Sequence, residues 1–173
     1  RAFDEPYFNT APCVVADESR FRMWYVSCTG WKEIEGNTEP VYLVRYAESF
    51  DGIEWERDRE PAIPYGFDGE AIGRPWVVYY GGRFLMWYSV RGSHGYRGPH
   101  GEHYMIGFAE SADGRSWIRR DGDVGIGLSE CGWDSEMLEY CSVIRISSGY
   151  AMLYNGNSFG RSGFGYAVIS DLG

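Results

Sequence analysis

Several side chains in this sequence could do chemistry, and Glu139 leads them. It stands in the apolar run Met137-Leu138-Glu139-Tyr140-Cys141. A carboxyl walled by Trp133, Met137 and Tyr140 loses hydration, which disfavours its charged form and raises its pKa. That is the state a general acid needs. The plain alternative is a structural carboxylate paired with Arg74 or Arg145. Asp134 and Glu70 are two further candidate acids, although Gly132-Trp133-Asp134-Ser135 also reads as a turn closed by an Asx hydrogen bond. Arg74 precedes Pro75, which restricts it to extended geometry and aims its side chain steadily. Its planar fork suits a carboxylate or a phosphate, with a salt bridge to Glu139 or Glu70 as the alternative. Arg91 reads as reaching the same place.

Candidate ligand contacts accompany these charged groups. Asn9 and the pair Asn155 and Asn157 carry amides that can hydrogen-bond a ligand. Asn155-Gly156-Asn157 also reads as a tight turn. Tyr140 and Trp31 offer rings for stacking, as do Trp76 and Trp133. The histidines, His94, His100 and His103, fall together in the Gly-rich loop Gly92–His103. Their spacing is not a familiar zinc pattern, so no metal is expected, and no cofactor either. Loops of this kind carry function more often than strands do.

The elements that must position these groups repeat along the chain. Ala11-Pro12-Cys13-Val14-Val15 returns as Arg74-Pro75-Trp76-Val77-Val78 at an offset of 63. Phe21-Arg22-Met23-Trp24-Tyr25 returns as Phe84-Leu85-Met86-Trp87-Tyr88 at the same offset. Tyr46-Ala47-Glu48-Ser49-Phe50-Asp51-Gly52 returns as Phe108-Ala109-Glu110-Ser111-Ala112-Asp113-Gly114 at 62, and Trp55 returns as Trp117. A shorter third copy runs through Tyr140–Ile144, Tyr150–Tyr154 and Gly165–Val168. Each full copy has four short segments rich in Val, Tyr, Trp and Met between turn signals. Asp51-Gly52 and Asp113-Gly114 read as hairpin turns. Gly81-Gly82 and Ser148-Gly149 separate first and second strands. Nothing sustains a helical period.

Four antiparallel strands repeated radially are the signature of a β-propeller blade. The expected fold is therefore all-β: one partial β-propeller domain over 1–173, with blades at about 10–58, 73–120 and 140–171. Ligands meet a propeller where its inner strands converge. Those strands align as Asn9-Thr10-Ala11-Pro12, Ile72-Gly73-Arg74-Pro75 and Leu138-Glu139-Tyr140-Cys141.

Composition narrows the rest. The chain has 173 residues, net charge −9, 24 glycines, and 7 Trp, 14 Tyr and 9 Phe. So many aromatics can build a core, which excludes intrinsic disorder. The acidic balance argues against a nucleic-acid partner. No apolar run spans a membrane. Cys13, Cys28, Cys131 and Cys141 show no CxxC spacing and read as free thiols. Arg1 is neither an initiator Met nor part of a signal peptide, and the N-terminus gives no compartment beyond a default cytoplasmic reading.

The strings FRMWYVS and FLMWYSV resemble the five-bladed propeller superfamily of glycoside hydrolase families 43, 32 and 68 and the mannoside phosphorylases. So do the SxDGxxW turns, the run GWDSEMLEYCSVIR and the run MLYNGNSFGRSGFGYA. The resemblance is nearest to a bacterial branch described as glycosidase-like. It implies that this chain is the C-terminal part, three blades of an expected five, closed by missing blades or by a second chain. It implies a carbohydrate ligand and, for hydrolysis, two carboxyls flanking the bond. The family's acid Glu has no counterpart in Asn9-Thr10-Ala11-Pro12, where Glu5 is the nearest carboxylate. Glu139-Tyr140-Cys141 is similar to the acid-bearing stretch of family 32, on a different blade. The implied function is a glycoside hydrolase-like protein acting on a bacterial glycan or sugar derivative. The alternatives are a non-catalytic carbohydrate-binding propeller, or a fragment that assembles with another chain.

Overall fold

A computed structural model describes residues 5–17, 19–98, 100–161, 163–170 and 172. Three antiparallel sheets follow one another along the chain. The first holds β1 (Asn9–Ala16), β2 (Phe21–Ile34), β3 (Asn37–Ser49) and β4 (Glu56–Arg57). The second repeats it with β5 (Ala71–Tyr80), β6 (Arg83–Arg91), β7 (Met105–Ser111) and β8 (Ile118–Arg119). The third has β9 (Glu139–Ile146), β10 (Gly149–Asn155) and β11 (Phe164–Ile169). Helix is confined to single turns at Asp121–Asp123 and Asn157–Gly160. The sheets are propeller blades, each beginning with its innermost strand.

The middle blade shows why the repeated string is apolar at nearly every position. Successive strand residues face opposite sides. Phe84, Met86 and Tyr88 of β6 pack with Trp24, Val44, Tyr46 and Ile72 of the first two blades. Leu85 and Trp87 of the same strand pack with Leu138, Val143 and Met152 towards the third. A strand with a blade on each side has no polar face to offer. By contrast Phe164, Tyr166 and Val168 of β11 are 72%, 71% and 59% exposed, while Ala167 and Ile169, on its other face, pack inward. One face of the third blade is thus an uncovered blade face.

The Asp-Gly dipeptides do not form two-residue hairpins. Each sits in a longer loop that Ser and Asp side chains hold. Ser111 Oγ accepts the Gly114 N–H at 2.8 Å and donates to Asp113 at 3.0 Å. Asp113 accepts the N–H groups of Arg115 and Ser116, both at 2.8 Å. Trp117 Nε1 then donates to the Gly114 carbonyl at 3.0 Å. The Ser49–Trp55 loop repeats these bonds. Backbone N–H donors hold the Asp113 carboxyl below its ordinary range, the Ser116 N–H foremost. A carboxyl lowered on folding stabilises above its unfolded pKa, so this contribution fades as pH falls below about 4. Ser111→Ala is expected to cost about 1–2 kcal/mol, because Ser111 is buried and its loss strands two N–H groups. Urea unfolding of the variant at pH 7 checks this.

The four cysteines are free thiols. No helix among the described residues is long and apolar enough to cross a membrane.

Candidate functional site

The three innermost strands share a device that the alignment alone does not reveal. Each breaks register with its neighbour, between Thr10 and Cys13, between Gly73 and Trp76, and between Glu139 and Ser142. At each break one non-glycine residue is left-handed: Ala11 at φ 48°, Arg74 at φ 48° and Tyr140 at φ 53°. These are β-bulges at equivalent positions of three blades. An L-residue held there costs on the order of 1–2 kcal/mol. Its threefold recurrence makes it part of the blade design. Each bulge delivers its side chain to one cavity of about 630 Å³, which Ala11, Arg74 and Tyr140 all line.

The strand pairs and two connections build the remaining wall. Thr10, Val26, Ser89 and Asn155 contribute from the ends of the first and second strands. Tyr42 comes from β3, and Tyr96, Arg97 and Tyr104 from the segment between β6 and β7. Gly73 lets Tyr42 in, since a Cβ at that position would stand 3.1 Å from the ring. The hydroxyls of Tyr42 and Tyr104 are in direct contact. Tyr140 leans on Tyr104 with ring centroids 5.6 Å apart. Burial pushes the hydroxyls of Tyr42 and Tyr140 well above the ordinary phenol range.

Glu139 immediately precedes the third bulge and pairs in register with Asn155, which lines the cavity. It is 0% exposed, and neither carboxylate oxygen has a hydrogen-bond partner among the described residues. Burial pushes its pKa up to about 7. The ion pairs of the structural alternative do not form among the described residues. Arg145 is exposed, and Arg74 makes no ion pair with any described carboxylate. Arg74 Nε is buried without an acceptor. The Tyr140 N–H donates to Ser89 Oγ at 2.9 Å, tying this bulge to the second blade.

Other candidates hold the scaffold. Glu70 is clamped by Arg119 through two bonds of 2.7 and 2.9 Å, across 49 residues. It also accepts the Gly66 N–H at 2.7 Å. Asp134 accepts the Tyr154 hydroxyl at 3.0 Å. Tyr25 and Tyr88 occupy the corresponding place in their blades and donate to Glu5 and Asp121. One second-strand tyrosine per blade thus meets a carboxylate. Asn157 has its amide engaged by Glu136 N–H, Met137 N–H and the Gly132 carbonyl, pinning the loop before β9. Arg91 is 2% exposed and stacked 3.7 Å from the Tyr96 ring centroid, behind the tyrosine wall. Asn9 is exposed and donates to Glu5 at 3.4 Å. Trp31 meets Phe8, a lining residue, edge-on at 6.2 Å. Among the described residues no group of His, Cys, Asp and Glu is arranged to hold a metal. His103 has both ring nitrogens against backbone carbonyls.

Sequence reasoning did not single out Tyr42, Tyr96, Arg97 and Tyr104. Tyr96 and Arg97 lie inside the Gly92–His103 loop and Tyr104 directly after it, but the only chemical signal read there was its three histidines.

Comparison with known proteins agrees with this architecture. The chain is 39% identical over 173 residues to the uncharacterized protein Rv1502 of Mycobacterium tuberculosis, covering 98% of this chain and 54% of that one. The chain therefore spans about half the length of the curated relatives it matches. Among solved structures, Zg3597, a family 117 glycoside hydrolase of the marine bacterium Zobellia galactanivorans, superposes with TM-score 0.75 at 16% identity. That match covers 98% of this chain and 54% of the other. A thermostable family-43 glycoside hydrolase superposes with TM-score 0.68 at 19% identity, covering 98% and 57%. No family model matches the chain.

Proposed function

From a chain that carries part of the β-propeller found in glycoside hydrolases of families 117 and 43, we infer a carbohydrate-active, glycosidase-like protein whose ligand enters the cavity of the three bulges. The observation that carries this reading is Glu139, a buried carboxyl with no partner among the described residues and a raised pKa, placed beside that cavity. A structural carboxylate would have its oxygens satisfied, as Glu70 and Asp134 do. An unsatisfied one costs stability that a fold carries for a reason outside folding. Glu139 is the general acid of this reading. Arg74, Tyr140 and Asn155 contact the sugar, with Trp31 further out. Glu70, Asp134, Arg91 and Asn157 position the walls.

Glycoside hydrolysis takes a second carboxyl on the far side of the bond. None lines the cavity among the described residues. In this reading it comes from blades outside this chain that complete the ring. The same observation favours a second reading, a propeller that binds a glycan without cleaving it. A full-length protein bearing this chain, offered a panel of glycosides with and without phosphate as acceptor, separates the two. Released sugar that depends on Glu139 supports the enzyme. Saturable binding without product over the whole panel supports the binding module.

A further inference from the structure

The cavity has a charge balance opposite to that of the chain. The chain carries net charge −9. Yet Arg74 and Arg97 line the cavity and, among the described residues, no carboxylate does. Arg97 is answered by Glu39. Arg74 has no hydrogen-bonding or ionic partner among the described residues, and its Nε is shut from water. Behind the tyrosine wall, Arg91 meets neutral oxygens: the Tyr42 and Tyr104 hydroxyls at 3.0 and 3.3 Å, and the Gly92 and Pro40 carbonyls at 2.8 and 3.3 Å. A guanidinium keeps its proton in proteins. Two permanent positive charges therefore stand at or just behind the cavity without a described counter-charge.

Hydrogen-bond valence points the same way. Tyr42 and Tyr104 both accept from Arg91 and touch each other. The Tyr140 hydroxyl also bonds Tyr104, so two contacts among three phenols use two of their three protons and one donor is left over. Arg74 adds a free fork. A neutral sugar hydroxyl needs an acceptor for its own proton as well as a donor. A carboxylate or phosphate oxygen needs donors only, and a planar guanidinium meets it with two parallel bonds.

We propose that the occupant of this cavity is an anionic sugar, its carboxylate or phosphate set against Arg74 beside the tyrosine cluster. This rests on the carbohydrate reading above and names its substrate class. It also gives the second bulge a purpose, since a left-handed arginine with no partner among the described residues is held ready for one outside.

Calorimetric titration of the full-length protein tests it. The probes are a disaccharide ending in a uronic acid, one ending in a hexose phosphate, and the matching neutral disaccharide. At least one anionic probe is expected to bind roughly tenfold or more tighter than the neutral one. The preference should shrink with added salt. The better of the two anionic arms identifies the charged group. Arg74→Gln should abolish the preference, and Arg74→Lys, which keeps the charge but not the fork, should retain part of it. A merely structural Arg74 would leave the ratio of anionic to neutral affinity unmoved. Equal binding of all three probes, or a preference intact in Arg74→Gln, overturns the proposal and leaves the carbohydrate reading standing. No binding of these probes or of any glycan overturns both.

Discussion

Glu139→Gln is expected to lower turnover of the full-length protein by roughly 10²- to 10⁴-fold, the usual worth of a positioned general acid. The same change should make the fold more stable above pH 7. The two effects have one cause. Burial, with no partner among the described residues, raises the carboxyl's pKa to about 7, while in the unfolded chain it titrates near 4.3. The folded state thus holds the proton more tightly than the unfolded state. Stability then falls as pH rises from about 4 to about 7, and the full penalty, on the order of 3 kcal/mol, stands above that window. Gln has the same shape and no charge to bury. Wild type and variant should unfold at similar urea concentrations near pH 4 and diverge by pH 8, the variant being the tougher. Parallel curves across this range would mean that Glu139 is ionised and satisfied at neutral pH. Full activity in the variant would remove it from the mechanism.

Trp24→Ala is expected to cost about 3–5 kcal/mol, the range for emptying a buried tryptophan site. Trp24 is 0% exposed. Its ring meets Tyr46 at 5.6 Å within its own blade, and Phe84 and Trp117 of the next at 5.7 and 5.8 Å. Its Nε1 donates to the Gly114 carbonyl at 2.9 Å, so one side chain fastens the first blade to the turn of the second. A domain stable by only about 5–15 kcal/mol would lose a large fraction of that margin. Trp55 is the built-in comparison. It holds the same place in its turn as Trp117 and donates to Gly52 at 3.1 Å, but it is only half-buried. Trp55→Ala should cost clearly less. Equal losses for both variants in urea unfolding would refute the view that Trp24 acts as a fastener between blades.

The fold was legible because its cause is periodic. Trp24 and Trp87, Ser49 and Ser111, and Asp51 and Asp113 recur because each blade solves the same packing problem, and a repeated solution prints a repeated string. The inner-strand alignment also placed Ala11, Arg74 and Tyr140 opposite one another. Their left-handed backbone was not legible, since Pro after Arg74 reads as extended geometry and nothing local marks a bulge. The partners of the acids were hidden for another reason. Arg119 lies 49 residues from Glu70 and Tyr154 lies 20 from Asp134, and no local pattern encodes such contacts. The tyrosine wall was invisible for the same reason. Tyr42 and Tyr104 belong to different blades, 62 residues apart in the chain, and meet through their hydroxyls. The isolation of Glu139 was half legible: its apolar neighbours announced burial, while the lack of a counter-charge among the described residues needed the packed structure.

At the three bulges the strain lies in the backbone, whichever L-side chain stands there. Ala11, Arg74 and Tyr140 adopt nearly the same φ although they share neither size, charge nor polarity. The backbone thus takes the same turn under three very different side chains, and their differences are presented to the cavity. On the carbohydrate reading, exchanging the residue at one bulge alters what a ligand meets while the backbone keeps the same course. Ala11 is the blank among the three, the position at which new specificity can be written with the least to erase.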